Sequence, residues 1–164
     1  MSSCMARKLS HLDAAGRVRM VDVSAKRVTA RGAMARGRIF MHRDTLALIR
    51  EDRAPKGNAL AAAHLAGVLA AKRTSEIIPL AHPVPIEAVD LAFTLDSATS
   101  SVGIEARVRT RARTGVEMEA LVAATAAALT LYDMLKAVDR GMVMGEFALW
   151  EKRGGRSGVY RRRG

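Results

Sequence analysis

The amino-acid sequence predicts an α+β fold in which an antiparallel sheet carries helices on one face. Apolar side chains occupy every second position over 89–95 and again over 102–108, as expected for two strands with one buried face. An alanine-rich stretch from Thr114 to Val138 has the composition of a long helix. The order of all segments is strand, helix pair, strand, strand, helix, strand, which is the β-α-β-β-α-β order of a ferredoxin-like sandwich.

The first half of the chain supplies one strand and the helix pair. Residues 35–42 have the pattern of a short strand, and Asp44 or Thr45 is placed to cap a short helix directly after it. A loop with proline and glycine follows over 52–57. Asn58 is then the predicted N-cap of the second helix, which ends near residue 74.

The second half supplies the alternating strands, the long helix and a last strand. The second alternating strand places a basic stripe opposite its apolar face, where a solvated surface is expected. The long helix closes at residues 139–141 with a C-terminal glycine, and residues 142–150 form the last strand. The stripe consists of Arg107, Arg109, Arg111 and Arg113.

Length and composition indicate one domain over 1–164, with a flexible arm at 1–20 and a basic, glycine-rich tail at 151–164. Hydrophobic residues make up 49% of the chain but aromatic residues only 4%. A core of small side chains favours close helix packing, often with a further apolar face buried against another subunit. The net charge of +11 points to an anionic partner such as nucleic acid, a membrane surface or a phosphorylated small molecule.

Several classes of protein are excluded. The lone Cys4 allows no internal disulfide and leaves no cysteine set for zinc or an iron–sulfur cluster, so neither a metal nor a cofactor is predicted. No apolar stretch follows the basic N-terminus, so no signal peptide is expected. The apolar runs over 59–71 and 120–131 are too short to span a bilayer. We therefore expect a soluble, cytoplasmic protein.

The long helix carries candidate chemical groups near both of its ends. Asp133 and Lys136 are three residues apart and therefore project from one helical face. Such a pair can handle protons in a shielded site, and on an open surface it is an ordinary ion pair worth about 0.2–0.5 kcal/mol. Glu117 lies sixteen residues before Asp133, or about 24 Å along a continuous helix. Both can serve one site only if two subunits assemble it, as in an isologous dimer with antiparallel helices.

The loop around His82 is a second candidate. Pro79 and Pro83 bracket this histidine, and the restricted backbone holds the imidazole in a fixed place. Lone histidines are most often satisfied polar residues, whereas a fixed geometry favours recognition or acid–base work.

Seven ordered segments give the chain a specific resemblance, which covers residues 9–160. The chain resembles the cyclic pyranopterin monophosphate synthase family, also called the molybdenum cofactor biosynthesis protein C family. The segments are MVDVSAK (20–26), KG (56–57), AGVLAAKRT (66–74), IPLAHP (78–83), TGVEMEAL (114–121), LTLYDMLKAV (129–138) and EKRGGRSG (151–158).

The resemblance implies a homohexamer, a trimer of dimers, with active sites at the dimer interface. It implies a lyase that converts (8S)-3′,8-cyclo-7,8-dihydroguanosine 5′-triphosphate to cyclic pyranopterin monophosphate and pyrophosphate. By position, the catalytic residues are Asp133, Lys136 and Lys56. Substrate binding falls on Leu80, Ala81, His82, Glu117, Met118, Glu119 and Lys152. A triphosphate with about three to four negative charges also needs cations, and Arg73 is a candidate beside the lysines.

Four positions depart from the family pattern, and two rival functions remain open. Ala81 stands where cysteine is common, which excludes a thiol role; His64 replaces an arginine, Asn58 an aspartate, and Arg156 a lysine. One rival is an inactive paralogue kept as an assembly partner. The other is a basic nucleic-acid-binding module, which needs aromatic residues exposed on its central strands. The strands offer Phe93 on the apolar face and otherwise arginines, so no nucleic-acid partner is expected.

Overall fold

The computed structural model describes residues 16–163. Cys4 and most of the expected arm lie outside these residues. The elements, in chain order, are β1 (Thr29–Phe40), α1 (Arg43–Arg50), α2 (Ala59–Lys72), α3 (Thr74–Ile77), β2 (Ile86–Asp96), β3 (Ser101–Ala112), α4 (Glu117–Leu135), β4 (Val143–Arg153) and β5 (Tyr160–Arg161).

The strands form one sheet in the order β2-β3-β1-β4-β5, and every neighbouring pair is antiparallel. The first four strands have the ferredoxin-like order, so the predicted fold class is confirmed. Alternation along β3 explains why the sheet has two different faces: Val102, Ile104, Ala106 and Val108 are buried, whereas Arg107 and Arg109 are exposed. The buried face receives α2 and α4.

Small side chains let α2 and α4 approach closely. The buried positions of α4 are mostly alanines, and a side chain at Gly67 of α2 would begin 3.0 Å from the carbonyl oxygen of Ala123 and 2.6 Å from a methyl of Leu91. Glycine at this position allows the contact between the helices and β2. Each Å² of apolar surface that this packing removes from water stabilises the fold by about 25 cal/mol.

Helix α4 is long and apolar enough to cross a membrane when length and composition alone are considered. Half of its apolar window is buried inside the fold, and its first turn carries Glu117 and Glu119. A half-buried apolar helix with this packing is the central helix of a globular core.

Two predicted helix ends were wrong. Neither Asp44 nor Thr45 caps α1 with its own side chain: the helix begins at Arg43, and the carboxylate of Asp139 accepts hydrogen bonds from the N–H of His42 (2.9 Å) and the hydroxyl of Thr45 (3.1 Å). Helix α4 ends at Leu135 rather than at residue 138, and the N–H of Gly141 donates to Asp139 instead of forming a glycine cap. The carboxylate of Asp139, distant in sequence from α1 but close to the end of α4, therefore takes the place of both predicted caps. The predicted cap Asn58 is confirmed, since its side chain accepts from the N–H of Ala61 at 2.8 Å.

Strands β1 and β4 are longer than the sequence pattern indicates. Strand β1 begins at Thr29, six residues before the predicted start at Ala35. Strand β4 continues through Arg153 into the segment interpreted as a tail, and β5 pairs with it at Glu151 and Lys152. Backbone pairing with neighbouring strands extends both elements into stretches whose side chains show no clear alternation.

The helix-free face of the sheet carries arginines paired with carboxylates. Arg36 and Arg107 both contact Glu105, at 2.6 and 2.7 Å, and Arg38 contacts Asp96 at 3.0 Å. The guanidinium of Arg36 also lies 4.8 Å from the centre of the Trp150 ring, a distance typical of a cation–π contact. Much of the positive charge on this face is therefore compensated locally.

Candidate active site

A pocket of about 260 Å³ lies at the start of α4 and is called here the helix-start pocket. The loop before β2 contributes one wall, the first turn of α4 another, and the chain before β1 a third. The lining residues are Val21, Val23, Lys26, Leu80, Ala81, His82, Val84, Thr114, Gly115, Glu117, Met118 and Glu119.

Two glutamates face this pocket in different environments. Glu117 is the first residue of α4, and its carboxylate folds over Gly115, where a Cβ would lie 1.9 Å from Oε2. A side chain at position 115 would therefore displace this carboxylate from its place. Glu119 is only 4% exposed. Burial raises the pKa of Glu119, and the neighbouring charge of Glu117 adds to the effect.

The imidazole of His82 is oriented by the chain that precedes β1. Its Nε2 lies 2.8 Å from the carbonyl oxygen of Val21, and since a carbonyl only accepts, Nε2 carries the proton. His82 also lines the pocket. Residues 21–23, which directly follow the expected arm, therefore cover the pocket with Val21 and Val23, since Val21 contacts the histidine loop.

A second group, called here the lysine–aspartate cluster, lies at the other end of α4. The carboxylate of Asp133 accepts from Lys56 Nζ at 2.7 Å and from Lys136 Nζ at 2.8 Å. Lys136 directly follows the last residue of α4 and contacts Asp133 three residues earlier, whereas Lys56 comes from the loop before α2. Roughly half of each side chain is exposed in the single protomer, between 44% and 52%.

The cluster fixes the charge of its members. Hydrogen bonds from Lys136 and Lys56 lower the pKa of Asp133 to about 2, and the same carboxylate raises the pKa of Lys136. At neutral pH Asp133 is therefore ionised and Lys136 is an ammonium. The amines of Lys56 and Lys136 can bind an anionic group, and Lys136 can also donate a proton. The carboxylate of Asp133 positions both amines.

The two groups lie at opposite ends of the protomer. Helix α4 is continuous from Glu117 to Leu135, so Glu117 and Asp133 are separated by about 24 Å along the axis. Helix α2 begins close to Asp133, because Lys56 in the loop before α2 contacts this carboxylate. Farther along α2, Gly67 packs against Ala123 of α4. Helix α2 therefore runs antiparallel to α4 and ends beside the helix-start pocket.

The structure thus divides the residues expected from sequence into two sets and leaves two outside. Leu80, Ala81, His82, Glu117, Met118 and Glu119 share the helix-start pocket, and Lys56, Asp133 and Lys136 form the cluster. Arg73 is exposed at the end of α2, and Lys152 contacts the hydroxyl of Ser157 and lies 3.5 Å from the carbonyl oxygen of Gly154.

Sequence reasoning missed several lining residues. Lys26 and Thr114 face the pocket but were not assigned a role. The available signal was their position inside two of the segments that carry the family resemblance, MVDVSAK and TGVEMEAL. No local periodicity indicated that these segments would meet.

The chain is a small ferredoxin-like α+β protein with a group of ionisable side chains at each end of α4. The family model described as "MoaC family" matches residues 20–155. The chain belongs to this family.

Curated relatives align along almost the whole chain. A protein of Heliobacterium modesticaldum is 57% identical over 152 residues, covering 93% of this chain and 96% of its own. A protein of Thermomicrobium roseum is 56% identical over 155 residues, covering 94% and 93%. A third, from Parvibaculum lavamentivorans, is 54% identical over 156 residues, covering 95% and 98%. All three are named cyclic pyranopterin monophosphate synthase.

Proposed function

We propose that this chain is a lyase of molybdenum cofactor biosynthesis. It converts (8S)-3′,8-cyclo-7,8-dihydroguanosine 5′-triphosphate to cyclic pyranopterin monophosphate with release of pyrophosphate. The observation that carries this proposal is the lysine–aspartate cluster, in which Asp133 holds both Lys56 and Lys136 within 2.8 Å. These are the three residues that the family resemblance assigns to catalysis, although 77 residues separate Lys56 from Asp133.

The charge state of the cluster suits the reaction. Opening the dihydroguanine ring and forming the pyran require protons to move at carbon and nitrogen atoms, which a positioned lysine can supply. Lys136 is held as an ammonium by Asp133, so it acts as the acid or as an electrostatic donor in the resting enzyme. Asp133 orients both amines and stabilises their charge.

The helix-start pocket offers polar groups to the heterocyclic end of the substrate. The carboxylates of Glu117 and Glu119 can accept hydrogen bonds from the amino and ring N–H groups of a guanine-derived base. His82 lines the pocket from the facing loop. These groups orient the ring system, and Leu80 with Met118 supplies the apolar wall.

The phosphate chemistry needs cations. A sugar hydroxyl attacks the α-phosphorus in line and pyrophosphate departs, so positive side chains must stabilise the developing charge. Lys56 and Lys136 can do this from the cluster, and Arg73 and Lys152 lie at the opposite end of the protomer. Both ends therefore carry groups that the reaction requires.

A composite site at a dimer interface unites the two ends. The exposed side of α4 carries Met118 and Leu129, and that of α2 carries Leu65 and Leu69, with exposures of 38% to 61%. Apolar helix faces of this kind are usually buried by a partner. Two antiparallel copies of α4 would place the start of one beside the end of the other. We place this dimer within a homohexamer of three dimers, and the enzyme in the cytoplasm.

The test is turnover of the purified cyclised dihydro-GTP with detection of pyrophosphate. Asp133→Asn keeps the size of the side chain but removes the charge that orders both lysines, and we expect kcat to fall by about 10²- to 10⁴-fold. Asp44→Asn, on the exposed start of α1, is the matched control and should retain full activity. A folded wild-type protein that releases no pyrophosphate would favour the inactive-paralogue alternative.

A further inference from the structure

A buried carboxylate, that of Asp139, belongs to neither candidate group. Its side chain is 1% exposed. Oδ2 accepts hydrogen bonds from the N–H of His42 at 2.9 Å and the hydroxyl of Thr45 at 3.1 Å, and Oδ1 accepts from the N–H of Gly141 at 2.9 Å. The other titratable group that faces it is the imidazole of His42, whose Nε2 lies 3.9 Å from Oδ1. This carboxylate therefore joins two segments that are 97 residues apart in the chain.

The first of these segments carries Lys136. It folds back over the end of α4 as a tight turn. The N–H of Lys136 donates to the carbonyl oxygen of Tyr132 at 2.8 Å. The N–H groups of Val138 and Asp139 both donate to the carbonyl oxygen of Leu135, at 2.9 and 3.1 Å. The backbone between Lys136 and Asp139 is therefore held in one conformation, and a shift of Asp139 displaces Lys136.

The second segment carries Lys56. It runs from His42 through the eight residues of α1, a rigid span of about 12 Å, to the loop before α2. The loop is attached to the end of α1, since the N–H of Arg53 donates to the carbonyl oxygen of Leu48 at 2.8 Å. A displacement at the start of α1 is therefore transmitted to the loop of Lys56.

The lysine–aspartate cluster is too exposed to fix its own geometry. The side chains of Lys56, Asp133 and Lys136 are 44%, 52% and 52% exposed. Ion pairs of this exposure contribute little, because solvent screens the charges and long side chains lose entropy when they are held in place. The hydrogen bonds of Asp139 are buried or half-buried, and such bonds are costly to break. The anchor of the two lysine-bearing segments is therefore at Asp139.

We propose that Asp139 is a positioning residue of the reaction, which fixes the segments of Lys56 and Lys136 so that both amines meet Asp133 in one arrangement. Its hydrogen bonds go to backbone N–H groups and to Thr45, so it acts on the lysines through the backbone. This inference rests on the proposed function for the catalytic role of the cluster.

The first test is the turnover of Asp139→Asn with the cyclised dihydro-GTP. Asparagine keeps the size of the side chain but replaces one acceptor oxygen by a donor, so one of the hydrogen bonds is lost. We expect kcat to fall by about 10- to 100-fold with a much smaller change in KM, because a displacement of about 1 Å at a reacting group has an effect of this size. Thr45→Val removes one donor and keeps the acceptor, so its loss of kcat should be smaller.

The control for stability alone is Val108→Ala. Val108 is fully buried on the helix-facing side of β3, and its truncation destabilises the fold without touching the segments of the two lysines. Thermal unfolding of each variant sets an assay temperature at which all proteins are folded. At that temperature Val108→Ala should keep kcat within about twofold of wild type. An equal loss of kcat in Val108→Ala and Asp139→Asn would overturn the proposal, since stability would then explain both.

A double-mutant cycle shows whether Asp139 acts through the cluster. In an Asp133→Asn background the lysines have already lost their ordered arrangement, so adding Asp139→Asn should reduce kcat by less than about twofold. The full 10- to 100-fold loss in that background would show that Asp139 acts independently of Asp133 and would contradict its role.

Labelling with acetic anhydride, quantified by peptide mass spectrometry, measures the cluster without turnover. Only the neutral amine reacts, and the contact with Asp133 raises the pKa of Lys136. We therefore expect Asp139→Asn to increase the labelling rate of Lys136 by about threefold or more at a fixed pH. Lys72, exposed at the end of α2, is the internal control and should react at the wild-type rate.

The two readouts separate the possible outcomes. If Asp139→Asn changes the labelling of Lys136 but the wild-type protein shows no turnover, the proposed function fails while the hold of Asp139 on the cluster stands. If the wild-type protein turns over and a folded Asp139→Asn protein keeps its kcat, the positioning role fails while the proposed function stands. Unchanged labelling of Lys136 in the folded variant likewise overturns the positioning role.

Discussion

Asp133 illustrates how one residue acquires its properties from two sources. Its contact with Lys136 follows from helical spacing and is visible in the sequence. Its contact with Lys56 depends on the path of the chain through α2, 77 residues earlier. The pKa of Asp133 reaches about 2 because both amines donate to it, so the charge state of the cluster is a property of the folded chain.

Glu119 carries a prediction about pH. Burial raises its pKa above the ordinary value of 4.5, so the neutral carboxyl favours the folded state. The associated stability is fully present below the pKa of the unfolded chain and is lost as pH rises through the higher pKa of the folded protein. Replacing Glu119 by Gln removes this loss, so the Tm of the variant relative to wild type should be higher at about pH 7.5 than at about pH 4.5.

The matched control is Glu87→Gln, at an exposed glutamate of β2. Differential scanning calorimetry of the three proteins at both pH values gives the comparison. If the Tm difference between Glu119→Gln and wild type is the same at both pH values, the carboxyl group of Glu119 does not titrate in this pH range.

Among the elements, the end of α4 and the start of α1 are joined by one buried carboxylate. Asp139 is 3% exposed and accepts from the N–H of His42, the N–H of Gly141 and the hydroxyl of Thr45. Burial opposes its ionisation, but these hydrogen bonds outweigh the cost and lower its pKa. Lys136 comes shortly before Asp139 in the chain, and Lys56 comes shortly after α1. The hydrogen bonds of Asp139 therefore also stabilise the two segments that carry the lysine–aspartate cluster.

Replacing Asp139 by Ala should therefore be costly. The change leaves three buried or half-buried donors without their acceptor, and we expect a loss of about 2–4 kcal/mol in the free energy of unfolding. Asp44→Ala, at the residue that local pattern suggests as the cap, should cost much less because its side chain is exposed. Urea unfolding followed by circular dichroism measures both. Similar losses for the two variants would mean that the distant carboxylate has no special role.

The arrangement of the whole molecule places half of the proposed site at each end of α4. If two subunits complete the site, a protein with an intact helix-start pocket can complement one with an intact cluster. We therefore expect Glu119→Gln and Asp133→Asn to be nearly inactive separately and to recover activity after mixing and subunit exchange. Random reassortment makes half of the dimers mixed, each with one intact site of two, so activity should reach about one quarter of wild type.

Light scattering before and after mixing monitors the assembly, and each variant incubated with itself is the control. Recovery should follow the rate of subunit exchange. A mixture that exchanges subunits but remains as inactive as its components would show that each protomer carries its own complete site.

The fold class, the presence of α2 and α4 and the cap at Asn58 follow from the sequence, because helix periodicity, strand alternation and local capping depend on neighbours within a few residues. The Asp133–Lys136 pair is local in the same sense. The cap by Asp139 and the extension of β1 and β4 were not predictable, since each depends on a partner distant in the chain.

The candidate site shows the same division. The residue types, the spacing along α4 and the family resemblance are all contained in the amino-acid sequence. The contact of Lys56 with Asp133, the contact of Val21 with His82 and the position of Lys26 in the helix-start pocket follow from the tertiary structure alone. Side chains from separate segments converge only when the sheet order and helix packing are set, because these depend on the burial of the whole apolar face rather than on any local pattern.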